Sequence, residues 1–99
     1  MPPVTRLGDI CTGHGCWPPR PCVSASPNVI TNGRGTHRRG DSWATHCKPC
    51  GTCSCCHGSV LAMGSSTVFA NGRPVARIGD PVACGSLAAT GSPNVIAGG

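Results

Sequence analysis

Short apolar stretches, each closed by turn-forming residues, recur along this chain. "SPNVI" at Ser26–Ile30 returns as "STVFA" at Ser66–Ala70 and again as "SPNVI" at Ser92–Ile96. The first two run into Asn-Gly pairs, Asn32-Gly33 and Asn71-Gly72, and then into arginine. Asn-Gly is the strongest short-range signal for a tight hairpin because both residues tolerate positive φ. After each hairpin comes a four-residue phrase: "RLGD" ends at Asp9, "RRGD" at Asp41 and "RIGD" at Asp80. Every carboxylate side chain of the protein therefore occupies the same slot of one repeated unit. That unit reads as apolar β stretch, Asn-Gly turn, Pro-Val-Ala-Arg-like strand, Gly-Asp, variable loop.

The chain begins inside one unit, at "PVTR", and ends inside another, at "NVIAGG". Two complete units and two complementary halves make three if the ends meet. A single short hairpin is unstable alone, whereas three packed about an axis share a core. The expected fold is therefore all-β: one domain over residues 1–99, with three pseudo-symmetric hairpin repeats.

Composition sharpens that picture. Gly and Pro make up 15 and 10 of 99 residues, and one Phe, two Trp and no Tyr leave little to build a core. A chain of this size needs staples, and nine Cys with four His supply candidates. The N-terminus "MPPVTRLGD" lacks the apolar centre of a signal peptide, and no stretch is long enough to span a membrane as a helix. An odd cysteine count fits poorly with complete internal pairing. These features favour thiols that serve a metal after synthesis in a reducing cytosol.

Register sorts the donors. The loops after Gly-Asp read "ICTGHG", "SWATHCKPCGTCSCCHG" and "PVACG", placing His14, His57 and Cys84 each before a glycine. On a threefold arrangement these three converge on the axis, and His46 in the long second loop is the expected fourth ligand. His14, His46, His57 and Cys84 form an N₃S set suited to a closed tetrahedral zinc site with no open position for catalysis. A set with Cys47 in place of His46 stays open. His37 aligns with Ala76 inside the hairpin and takes no metal role. In the insert, Cys47, Cys50, Cys53, Cys55 and Cys56 have spacing compatible with a second ion, against the alternative of small, partly buried loop thiols. Cys11, Cys16 and Cys22 are candidates for further ligation or for disulfides.

The net charge of +5 arises from eight basic residues against only three acids, and the densest basic group is "RGTHRR" at Arg34–Arg39. No specific nucleic-acid partner is expected from so modest a patch. No enzyme is expected either: the three Asp are committed to turns and the sequence contains no Glu. The alternative function is a small zinc-binding, cysteine-rich nucleic-acid or regulatory module.

"PVAR" at Pro74–Arg77, followed by Ile78-Gly79-Asp80 and framed by "SSTVFANG" and "GSPNVIAGG", resembles the proline-alanine-alanine-arginine (PAAR) repeat family. The second unit departs from the pattern with "GTHR", and the insert after His46 is unusually rich in cysteine. The resemblance implies a small conical protein with one structural zinc near its vertex, held by three His and one Cys. It implies a membrane-piercing tip that caps the trimeric β-helical spike, a VgrG-like or phage spike protein, of a type VI secretion system or contractile phage tail. One copy would sit on each trimer, with secreted effectors and the target membrane as further partners. The protein would stand in the bacterial cytoplasm before assembly and then leave on the spike without a signal peptide, and this chain is expected to carry no fused toxin.

Overall fold

A computed structural model describes residues 2–14, 17–50 and 53–98. It is all-β, with no helix among the described residues, in an elongated body of 44 × 23 × 22 Å. Two short hairpins form where the Asn-Gly pairs fall. β1 (Ile30–Thr31) pairs with β2 (Arg34–Gly35), and β5 (Phe69–Ala70) pairs with β6 (Arg73–Pro74). The turns have φ of 54° and 77° at Asn32 and Gly33, and 55° and 75° at Asn71 and Gly72. Both central residues are left-handed, which matches the twist of the flanking strands.

The third hairpin is assembled from the two ends of the chain. Pro3 bridges Ile96, as Gly35 bridges Ile30 and Pro74 bridges Phe69. The Val4 amide donates to Val95 O at 2.9 Å, just as Thr36 N donates to Val29 O and Val75 N to Val68 O. A serine three residues before the valine of each apolar stretch also recurs: Ser26, Ser65 and Ser92 each accept, at Oγ, the amide of that valine. The expected closure of the ring is thus observed bond by bond.

At the axis the closure is cyclic. Thr5 N donates to Ala76 O at 2.9 Å, Ala76 N to His37 O at 2.9 Å, and His37 N to Thr5 O at 3.1 Å. Each repeat hands one backbone hydrogen bond to the next, and all three residues are fully buried. The "GTHR" departure in the second unit leaves this geometry intact because the bonds are made by backbone.

Between repeats, arginine and aspartate act as a repeated clasp. Arg6, Arg38 and Arg77 each present Nε and Nη2 to the two carboxylate oxygens of Asp9, Asp41 and Asp80, at 2.8–3.1 Å. The same carboxylates accept the arginine's own backbone amide. The intervening glycines, Gly8, Gly40 and Gly79, turn the chain at φ of 87°, 85° and 91°, a region costly for other residues. Each remaining Nη1 reaches the adjoining hairpin, on Asn32, Asn71 and Gly98 O. Bidentate pairing fixes orientation as well as charge.

The hydrophobic core is thin and layered. Cys22, Leu61 and Ala88 occupy equivalent positions, since each accepts at its carbonyl the amide of Gly8, Gly40 or Gly79. A second layer holds Cys11, Trp43 and Val82, each two residues after the clasp aspartate. One large side chain per layer fills the space that two small ones leave.

The long second loop is where structure and sequence part. Rather than a loop, it is an antiparallel pair, β3 (Ser42–Cys50) and β4 (Cys53–Val60), with a register shift between Trp43 and His46.

Candidate metal centre

The clasp aspartates set where the donors begin. His14 and His46 stand five residues after Asp9 and Asp41, on outgoing segments of the first and second repeats. His57 and Cys84 stand four residues before Leu61 and Ala88, on returning segments of the second and third. His14, His57 and Cys84 are therefore not one equivalent position in three units. The first repeat supplies one donor, the second supplies two from opposite strands of its hairpin, and the third supplies one. Cross-strand pairing explains this, because β3 and β4 place His46 directly opposite His57.

The four candidates come together. One donor atom from each of His14, His46, His57 and Cys84 lies within 4.8 Å of all the others. His46 Nε2 is 2.7 Å from His57 Nε2, which is 2.9 Å from His14 Nε2. Zinc–nitrogen bonds of about 2.0–2.1 Å set donor separations of about 3.3 Å in a tetrahedron, so on binding the two close histidine pairs would open slightly and the widest separations, up to 4.8 Å, would draw in.

Donor chemistry agrees. His46 is buried, and its Nδ1 lies 2.8 Å from Pro18 O. That contact places the proton on Nδ1 and turns the Nε2 lone pair toward the cluster, the orientation that outer hydrogen bonds give metal-binding histidines. Partial desolvation, with charge from His46 and His14, pushes His57 below the ordinary imidazole range and favours its neutral form. Burial opposes ionisation of the Cys84 thiol, yet hydrogen bonds from Ser86 and Ser59 outweigh it and hold the thiol below its usual value. Neutral imidazole and thiolate are the forms that ligate.

Trp17 is the contributor that sequence reasoning missed. Its ring stacks on His14 with centroids 4.9 Å apart and lies 4.8 Å from His57. Its backbone exchanges two hydrogen bonds with His14, at 3.0 and 2.8 Å. The only signal was an aromatic three residues past a loop histidine. Gly85, at φ 111°, lies beside the His14 ring, where an added Cβ would come within 3.9 Å of it.

The other candidates separate from this cluster. His37 sits at the axis, edge-on to Trp43 with centroids 4.9 Å apart. Cys47 is joined to Cys56 in a disulfide, so it does not replace His46. Cys11 and Cys22 are neither ligands nor bridged; they are buried free thiols of the core. Burial pushes Cys22 up to about 11, and its Sγ donates to Arg6 O at 3.0 Å. Cys16 and the side chains of Cys50, Cys53 and Cys55, on which a second ion in the insert would rest, lie outside what the structure describes.

Comparison with known proteins agrees with the repeat architecture. The PAAR motif family matches residues 12–89. This chain belongs to the PAAR family. Its curated relatives include the NAD(P)(+) glycohydrolase toxin Tse6 and the (p)ppApp synthetase toxin Tas1, from two strains of Pseudomonas aeruginosa, each 35% identical over 79 residues. Those alignments cover 78% of this PAAR chain and 18% of each toxin. The likeness therefore concerns the PAAR segment and not the whole of either toxin.

Proposed function

We propose that this PAAR chain is the non-catalytic tip of a type VI secretion spike or related contractile tail, seated on a trimeric β-helical spike protein and pinned by one zinc ion. The observation that carries the reading is a threefold apolar crown on the hairpins. Ile30, Phe69 and Ile96 hold the same position in three repeats and are 56%, 55% and 55% exposed. Val29, Val68 and Val95 precede them, each also exposed. Large apolar residues left in solvent by a regular pattern mark an interaction surface. A surface with approximate threefold symmetry in one polypeptide suits a partner that offers three identical chains.

The metal centre lies beyond the two core layers from that crown. His14, His46, His57 and Cys84 would hold zinc there, cross-linking loops from all three repeats where little apolar material fits. Such an ion supplies about 10–16 kcal/mol of apparent folding free energy in small domains, comparable to the total stability of about 5–15 kcal/mol typical of a domain. Four protein donors leave no place for an activated water, and the side chains of Asp9, Asp41 and Asp80 are each clasped by arginine. The chain's role is to hold shape and transmit force to a target membrane.

The toxic relatives support a link between PAAR segments and effector delivery. We assign this chain to the same traffic: assembly in the bacterial cytoplasm, then export on the spike. Co-expression with the trimeric spike protein tests the proposal. One copy per three spike chains is expected, lost when Ile30, Phe69 and Ile96 are replaced by Asp together. Undiminished binding by that variant would overturn the docking face.

A further inference from the structure

The disulfide between Cys47 and Cys56 takes no part in ligation, yet it stands immediately beyond two of the candidate ligands. His46 pairs with His57 across β3 and β4, and the next pair outward is Cys47 with Cys56. Side chains alternate between the two faces of a strand, and burial follows that alternation here. His46 is buried and Cys47 exposed, while His57 is partly buried and Cys56 exposed. The imidazoles thus turn inward to the cluster, and the bridged cysteines face solvent from the same two strands.

On the core side of the histidine pair, the register shifts between Trp43 and His46. There β3 turns to the first repeat: Ala44 N donates to Pro21 O at 2.9 Å, and Arg20 Nε donates to Thr45 O at 2.7 Å. His46 also contacts that repeat, with Nδ1 2.8 Å from Pro18 O. The strand that carries His46 is therefore anchored away from β4 at the level of the ligands. A covalent bridge one residue further out limits how far His57 can part from His46.

We propose that Cys47 and Cys56 form a reversible thiol–disulfide site, a clamp on the His46–His57 pair that a dithiol reductant opens and an oxidised dithiol closes. In opening, a thiolate of the reductant attacks one sulfur of the bridge and forms a mixed disulfide. The reductant's second thiol then displaces the protein. The protein's S–S bond breaks, one forms in the reductant, and two electrons and two protons pass to Cys47 and Cys56. Closing runs the same exchange in reverse. Exposure of both cysteines gives the reductant access. Disulfides persist in oxidising compartments and are rare where thiol pools are kept reduced, so the clamp closes when the chain leaves a reducing compartment. Its effect on zinc rests on the metal centre proposed above; the clamp itself does not.

The zinc-loaded full chain tests this. Peptide mapping after alkylation should find Cys47 linked to Cys56 in oxidised protein and both alkylated after dithiothreitol. With the reductant removed anaerobically, zinc transfer to the chelator zincon should be about tenfold faster from reduced protein, the lower end of what supports of metal ligands contribute. C47S/C56S should release zinc at the reduced rate before and after the same treatment. Equal rates from oxidised and reduced wild type would overturn the clamp. So would an undiminished response to dithiothreitol in C47S/C56S, or absence of the Cys47–Cys56 link in oxidised protein. A wild type without zinc in either state would count against the metal centre alone. The clamp is then read on the metal-free chain, where amide exchange over residues 43–47 and 56–59 should quicken on reduction of the wild type and not of C47S/C56S. Unchanged exchange there would overturn it.

Discussion

His46 faces His57 across the β3–β4 pair with Nε2 atoms 2.7 Å apart, and His14 Nε2 approaches His57 Nε2 from another repeat at 2.9 Å. Three imidazole nitrogens this close together would be satisfied by one shared cation. Replacing His46 or His57 by Ala should remove bound zinc. Loss of even about 3 kcal/mol would lower the melting temperature by about 12–24 °C in a domain of this size. Inductively coupled plasma analysis and a thermal melt on the same sample check both.

Leu61→Ala should destabilise by about 2–5 kcal/mol. Leu61 is 1% exposed and shares its layer with the smaller Cys22 and Ala88, so no neighbour can expand into the cavity. Chemical denaturation with zinc held saturating reads this effect apart from metal loss.

His37 separates packing from ligation. Burial lowers its pKa, with the charges of Arg38 and Arg73 adding to that and Ser24 O and Asp41 opposing it. A histidine depressed in the folded state contributes stability that is present above its unfolded value of about 6.5 and lost as pH falls through the folded value. His37→Ala, which copies the residue of the third repeat, should leave zinc stoichiometry unchanged. It should also flatten the fall in stability below about pH 6.5. Equal slopes in wild type and variant, after correction for zinc occupancy, would contradict this.

The clasps give a lower acid limit. Burial works to raise Asp9 and Asp41, but hydrogen bonds from Arg6 and Arg38 and their charges outweigh it and hold both carboxyls below the usual range. Carboxylates depressed on folding stabilise above about pH 3.9 and lose that contribution as pH falls through their folded values. Asp41→Asn should therefore be less stable than wild type at neutral pH, with the difference shrinking as pH drops below about 4. Circular-dichroism melts across that range measure it.

Much of this architecture was legible because it is written three times. Asn-Gly marked both hairpins, Arg-x-Gly-Asp marked the clasps, and the matching ends foretold the bridge between Pro3 and Ile96. That His14, His46, His57 and Cys84 come together was legible too, since all four sit in the loops that follow Gly-Asp. What stayed hidden was the path of the second loop. Its run of Cys, Gly and Pro lacks apolar alternation, so pairing of Ser42–Cys50 with Cys53–Val60 comes from tertiary anchoring at Trp43 and Leu61 rather than from local pattern. That pairing, not threefold equivalence, brings in His46 beside His57. Trp17 was hidden because stacking on His14 depends on a backbone turn that no spacing announces.

The most direct test is the metal content of natively purified protein beside its variants. One zinc per chain is expected, lost equally from His14→Ala, His46→Ala, His57→Ala and Cys84→Ser and retained in His37→Ala. A natively folded chain with no transition metal, or one that keeps its full zinc in the Cys84→Ser variant, would contradict it.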